Sequence, residues 1–230
     1  MSRRVRVAML DSGVHTGNPH IQRGLEGGVS ILPDGVERPE FQDTLGHGTA
    51  VCAVLQELAP EADLYSVKIF NRQLATSLPI VLRAIDWCLR QEIDIINLSL
   101  GTANEDHRPL FLAAIERVQA AGALLVSAYE VNGTLMLPGA LPGVVGVVED
   151  VSCPRETYRV IREEPIRFAA CPYPLDIAGV PRERNIHGVS FAVAHISSQI
   201  AKRWHEDSTE KNWVSRLAEE VPTLSEGAPD

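Results

Sequence analysis

The stretch DLYSVKIFNRQLATSLPIVLRAIDWCLRQEIDIINLSLG, residues 63–101, decides the fold. Its ends, DLYSVKIF (63–70) and IDIINLSLG (93–101), are short runs rich in Val, Ile and Leu, which reads as two strands. Between them, SLPIVLRAIDWCLRQ (77–91) carries Ile80, Ala84, Ile85, Cys88 and Leu89 on one face of a helix. The strands are apolar on both faces, as in a parallel sheet covered on both sides.

The same alternation continues outward. VRVAML (5–10) is a strand ending at Asp11-Ser12-Gly13, and GHGTAVCAVLQEL (46–58) has helical spacing. RPLFLAAIERVQAAG (108–122) reads as a helix closed by glycine, followed by strands ALLVSAY (123–129) and GVVGVVED (143–150). SFAVAHISSQIAKRW (190–204) is a late helix. The expected class is α/β, with a three-layer, mostly parallel sheet and helices on both faces. Residues 1–205 are expected to form the domain and 206–230 a helix end and polar tail, frayed over TLSEGAPD (223–230).

Composition narrows the function. The 230 residues are 45% hydrophobic, enough for one large domain. The net charge of −9 argues against nucleic acid as a partner, since phosphate binding needs clustered Lys and Arg. MSRRVRV runs straight into a strand pattern, without the apolar stretch of a secretory signal. No run reaches the ~18 apolar residues of a membrane span. Cys52, Cys88, Cys153 and Cys171 form no C-x-x-C pair, which argues against zinc. Free thiols point to a reducing cytoplasm. His15, His20, His107, His187, His195 and His205 are not spaced as a metal set, so neither a metal nor another cofactor is expected.

In α/β sheets functional residues gather at the carboxyl ends of strands and the helix starts that follow. Asp11 ends the first strand, His47 opens the first long helix, and Ser190 stands at the mouth of the late helix in HGVSFAVAH (187–195). Taken alone, Ser190 reads as a helix cap. The three types together suit acyl transfer: a hydroxyl nucleophile, an imidazole to take its proton, and a carboxylate to orient the imidazole. Asp43, just ahead of the His47 helix, reads as a loop carboxylate or cap.

Six segments in order resemble the subtilisin-like serine proteases: VAMLDSGVHTGNPHI, GHGTAVCAVL, APEADLYSVKIF, IDIINLSLGT, LPGALPGVVGVV and GVSFAVAHISSQIA, spanning residues 4–203. The resemblance implies a serine endopeptidase acting on a peptide or protein. Asp11 would orient, His47 act as general base and acid, and Ser190 form the acyl-enzyme. It also implies that the backbone of Leu98, Ser99, Leu100 and Gly101 pairs with an extended substrate. Ala128 and Glu130 would then lie near the wall of the specificity pocket. A Glu130 pointing inward would favour a basic residue before the scissile bond.

The chain departs from the family's pattern in several places. Val189 replaces the usual threonine before the serine, and Ala194 replaces the proline before His195. The usual Ala-Gly-Asn oxyanion segment reads SAYEVNG. Ungapped counting puts Val131 at the asparagine, whereas one inserted residue puts Asn132 there, the residue expected to supply the oxyanion donor. The family's calcium loops have no acidic counterpart, and no pro-segment is expected ahead of the first strand. A sheet edge left bare by the missing loops would admit a homodimer or partner subunit. A compact cytoplasmic form points to a maturation protease for a ribosomally made peptide. Two alternatives stay open: a peptide-binding pseudoenzyme, and a ligase or macrocyclase using the same triad.

Overall fold

The computed structural model describes residues 3–204 and 213–220. The early elements are β1 (Arg6–Asp11), β2 (Gly27–Ile31), β3 (Glu37–Arg38), α1 (His47–Leu58), β4 (Asp63–Lys68), α2 (Leu78–Arg90) and β5 (Ile95–Leu98). Then come α3 (Arg108–Ala120), β6 (Leu124–Ala128), the hairpin β7 (Glu130–Val131) and β8 (Thr134–Leu135), β9 (Val145–Glu149), β10 (Arg159–Ile161) and β11 (Arg167–Ala170). Helices α4 (Val189–Lys202) and α5 (Trp213–Glu220) close the chain.

Among the described residues nine strands form one sheet in the order β10-β11-β9-β6-β5-β1-β4-β2-β3. It is parallel except where β3 and β10 add on antiparallel. These outer strands are two and three residues long and carry Glu37, Arg38 and Arg159, charges of the kind that discourage further pairing.

Each face of the sheet has its own core because side chains alternate along a strand. On β1, Val7 and Met9 pack with α1 and α4, while Ala8 and Leu10 pack with α2 and α3. The sheet is thus sandwiched, as expected from its doubly apolar strands.

The chain crosses from one side of β1 to the other between β4 and β5, so β1 and β5 are neighbours whose carboxyl ends face the same way (Leu10 pairs with Leu98). That junction is where α/β sheets open a crevice.

Helix α5 lies within the segment expected as a helix end and polar tail. Trp213, Leu217 and Ala218 are buried, Trp213 stacks on Trp204 with ring centroids 5.1 Å apart, and Tyr158 donates to the Leu217 carbonyl (3.0 Å). His205 and TLSEGAPD (223–230) lie outside the described residues.

Candidate active site

Asp11 ends β1 and is almost completely buried, as a carboxylate can be only when hydrogen-bonded. Its Oδ1 accepts from the Ser12 N–H at 2.6 Å. Both carboxylate oxygens reach Nδ1 of His47, at 2.8 and 2.9 Å. This two-point contact fixes the ring plane and places the proton on Nδ1, leaving Nε2 to act as a base. Burial opposes the charged imidazolium. The hydrogen bond and charge of Asp11, with the charge of Asp43, outweigh it and hold the His47 pKa above its ordinary value.

His47 is held by its helix. Gly46, the residue before α1, has φ 85°, a left-handed conformation that suits glycine. Asp43, for which the sequence left a loop carboxylate or a cap open, holds the helix start. Its Oδ1 accepts from the N–H groups of Leu45 (2.8 Å) and Gly46 (3.0 Å), and its Oδ2 from the Thr49 N–H (3.0 Å) and hydroxyl (2.6 Å). Burial raises the Asp43 pKa, but these four donors more than offset it and leave it below the ordinary value. The Gly48 N–H donates to the Ser12 hydroxyl at 2.9 Å, tying α1 to the turn after Asp11.

Ser190 is the second residue of α4. The helix cap is Gly188, at φ 154°, with no side-chain cap bond, and the Ser190 hydroxyl makes no hydrogen bond among the described residues. Its hydroxyl is therefore not serving as a cap. The backbone N–H of Ser190 lies in the first turn, where no intrahelical acceptor exists, at the positive end of the helix dipole. The next residue, Phe191, sets its ring 5.3 Å from that of His47, bringing the start of α4 to the Asp11–His47 pair.

At the carboxyl end of β5, Leu98 is paired on both sides, with Leu10 and Ser127. Further along, Thr102 pairs both ways with Leu137 (2.9 and 2.8 Å). Between these, Leu100 and Gly101 have no backbone partner among the described residues; the Leu100 carbonyl accepts the Ser127 hydroxyl (3.1 Å). An apolar cleft of about 270 Å³, lined in part by Leu74, Leu78, Leu98, Phe111 and Leu137, flanks this open stretch.

The subtilase family profile matches residues 2–147. The chain belongs to the subtilase family. Its matched part holds Asp11 and His47 and ends before Ser190. The chain is 26% identical to the major intracellular serine protease of Bacillus subtilis, with 91% of this chain and 72% of that protein covered. It is 33% identical to a thermostable alkaline protease of Halalkalibacterium halodurans over 62% of this chain and 40% of the relative. The match to the minor extracellular protease Epr of Bacillus subtilis is 29% identical and spans only 23% of that protein. The crystal structure of a lanthipeptide protease superposes with a TM-score of 0.67 at 18% identity, covering 86% of this chain and 72% of that one, a likeness of fold.

Other expected positions of this subtilase lie on the hairpin after β6 or in the core. Asn132 and Gly133 form the two-residue turn between β7 and β8, at φ 50° and 79°, a mirror-image turn that Asn-Gly favours. Asn132 is exposed, and no hydrogen bond among the described residues ties it to His47 or Ser190. Val131 is exposed on β7. Glu130 is half-buried, and its carboxylate accepts from the Gly133 N–H (3.1 Å), closing the same turn. Ala128 packs in the core, and a Cβ on Gly139 would fall 1.8 Å from its carbonyl oxygen, so only glycine permits that approach.

Among the described residues no group of three His, Cys, Asp or Glu could hold a metal, and no helix is long and apolar enough to cross a membrane. His195 is buried, with Nε2 3.0 Å from the Tyr173 carbonyl; burial lowers its pKa. All four cysteines are free and buried, and burial pushes the Cys52 thiol up to about 12.

Sequence reasoning left Ser12, Thr49 and Lys68 without a role. The signal available was their place beside Asp11, His47 and the end of β4. Their contacts join segments distant in the chain, which periodicity does not reveal.

Proposed function

We propose that this chain is a serine endopeptidase. The observation that carries the reading is the two-point Asp11–His47 contact at the carboxyl end of the sheet, faced by a helix whose second residue, Ser190, keeps an uncommitted hydroxyl. Nε2 of His47 takes the Ser190 proton as Oγ attacks the scissile carbonyl. The proton then passes to the leaving amine, and water hydrolyses the acyl-enzyme by the same route in reverse. The Ser190 N–H supplies one oxyanion donor, aided by the α4 dipole. Asn132 is proposed as the second.

An extended substrate adds its backbone to Leu100 and Gly101, with an apolar side chain in the adjoining cleft. So short an open edge suits a flexible segment better than a folded surface. The narrower proposal is therefore a maturation protease acting on a ribosomally made precursor peptide. A reducing cytoplasm is the proposed location, supported by the free buried cysteines and by a relative named as intracellular.

The exposed position of Asn132 favours a second reading, a subtilase domain that binds peptides without cutting them. A serine-directed fluorophosphonate probe separates the two. Covalent labelling of wild type at Ser190, lost in His47→Ala, supports the endopeptidase. Absence of labelling together with measurable peptide binding supports the binding domain. Mass analysis of a cleaved precursor peptide then tests the narrower proposal.

A further inference from the structure

Lys68 belongs to no step of this mechanism, yet its side chain lies among the segments that carry it. It ends β4 and stands beside Asp11 in the register of β1 and β4. It is only 6% exposed, and an ammonium is seldom buried unless its donors are satisfied. Burial lowers its pKa, opposed by the charge of Asp43. Its Nζ donates to the Ser12 carbonyl at 3.0 Å and to the Gln42 carbonyl at 2.6 Å.

Those two carbonyls belong to different parts of the site. Ser12 follows Asp11, gives its N–H to the Asp11 carboxylate and takes the Gly48 N–H on its hydroxyl. Gln42 precedes Asp43, whose carboxylate holds the start of α1 and so His47. Neither Ser12 nor Gln42 lies in a helix or strand, so no ladder fixes them. The segments are also in close contact. The Val14 N–H donates to the Phe41 carbonyl (2.9 Å), and a Cβ on Gly13, at φ 98°, would lie 2.2 Å from that same oxygen.

We propose that Lys68 is a positioning residue for the Asp11–His47 pair, its ammonium bracing the Ser12 and Gln42 carbonyls so that both Asp11 oxygens stay on His47 Nδ1. An apolar residue of similar length could fill the space but would leave both carbonyls without this donor. The inference rests on the endopeptidase reading for its effect on turnover; the brace itself acts on the hydrogen bond.

The test compares wild type with Lys68→Met and Lys68→Gln. The readouts are peptide turnover, the rate of fluorophosphonate labelling, melting temperature, and the low-field proton resonance of His47 Nδ1. Lys68→Met is expected to lower kcat about 10²-fold, because small displacements of a catalytic group are costly, with KM within about twofold. Labelling slows in parallel and the low-field proton broadens. Lys68→Gln keeps a neutral donor and recovers part of the loss. Wild-type kcat, labelling and resonance in both variants, with only a lower melting temperature, overturn the proposal. Failure of both to fold also overturns it, making Lys68 a staple of the fold. If wild type itself takes no label, the endopeptidase reading fails. The His47 proton still decides the brace, since an equally sharp resonance in Lys68→Met rules it out.

Discussion

The two halves of the candidate site are built differently. Asp11 and His47 sit in a web of hydrogen bonds running from Ser12 to Gly48, from Asp43 to Leu45, Gly46 and Thr49, and from Lys68 to Ser12 and Gln42. Ser190 is carried instead at the start of α4, whose first turns are set by apolar packing and whose hydrogen-bonded side chains, His195, Ser197 and Gln199, lie further along the helix. Phe191, Ala192, Val193, Ala194 and Ile196 are buried, while the Ser190 hydroxyl makes no hydrogen bond among the described residues. Hydrogen bonds set direction, which a bidentate carboxylate–imidazole contact needs. Packing sets position, which suffices for a nucleophile whose hydroxyl must stay free to turn. The match to the family profile follows the same divide, covering the first half and stopping before the serine helix.

The largest effect should come from the packed half. Ser190→Ala is expected to lower turnover by ~10⁴-fold or more while the melting temperature stays close to wild type, since the proposed triad would act as a unit and the hydroxyl has no hydrogen bond to lose among the described residues. Half-normal turnover in that variant would remove Ser190 from the mechanism. Asn132→Ala comes next. As an oxyanion donor it should cost ~10²–10³-fold in kcat with little change in KM. An effect confined to melting temperature would leave Asn132 as a turn residue only and the hole to backbone donors.

The hydrogen-bonded half should answer first in stability. Asp43→Asn is expected to destabilise the fold by about 1–3 kcal/mol at neutral pH, because a charged acceptor leaves its donors. The Asp43 pKa is lowered in the folded state, so its contribution is present above the unfolded carboxylate range and lost as pH falls through the folded value. Melting temperature should therefore depend less on acid pH in the variant than in wild type. The acid limb of kcat/KM should also move to lower pH, since the Asp43 charge helps to raise the His47 pKa. Unchanged acid profiles would show that Asp43 acts only through shape.

Two smaller effects sharpen the comparison. Glu130→Gln should cost about 0.5–1.5 kcal/mol or less through the Gly133 bond, equally for cleavage after basic and apolar residues. A loss confined to Arg or Lys substrates would put the carboxylate in the specificity pocket after all. A chelator should leave the melting temperature nearly unchanged, because among the described residues no group of three His, Cys, Asp or Glu offers the side-chain oxygens that calcium's 6–8 ligands draw on. A drop of many degrees, reversed by calcium, would show a site built from backbone carbonyls.

The sequence by itself determined the βαβ alternation, the helices near 47–58, 78–90, 108–120 and 189–202, and the order Asp11, His47, Ser190. Those signals are local: periodicity, glycine punctuation and short motifs. It did not reveal β2 (GGVSI), β11 (RFAA) or α5 (WVSRLAEE), which are short and take their stability from neighbours already in place. Nor did it show that Asn132-Gly133 would turn a hairpin, because the same dipeptide suits an oxyanion loop and a mirror-image turn. The tertiary structure alone decided which donors meet Asp11 and Asp43, and that a lysine at the end of β4 reaches two carbonyls from segments 30 residues apart in the chain. Such contacts depend on where the sheet sets strand ends side by side, and no pattern within one segment encodes that.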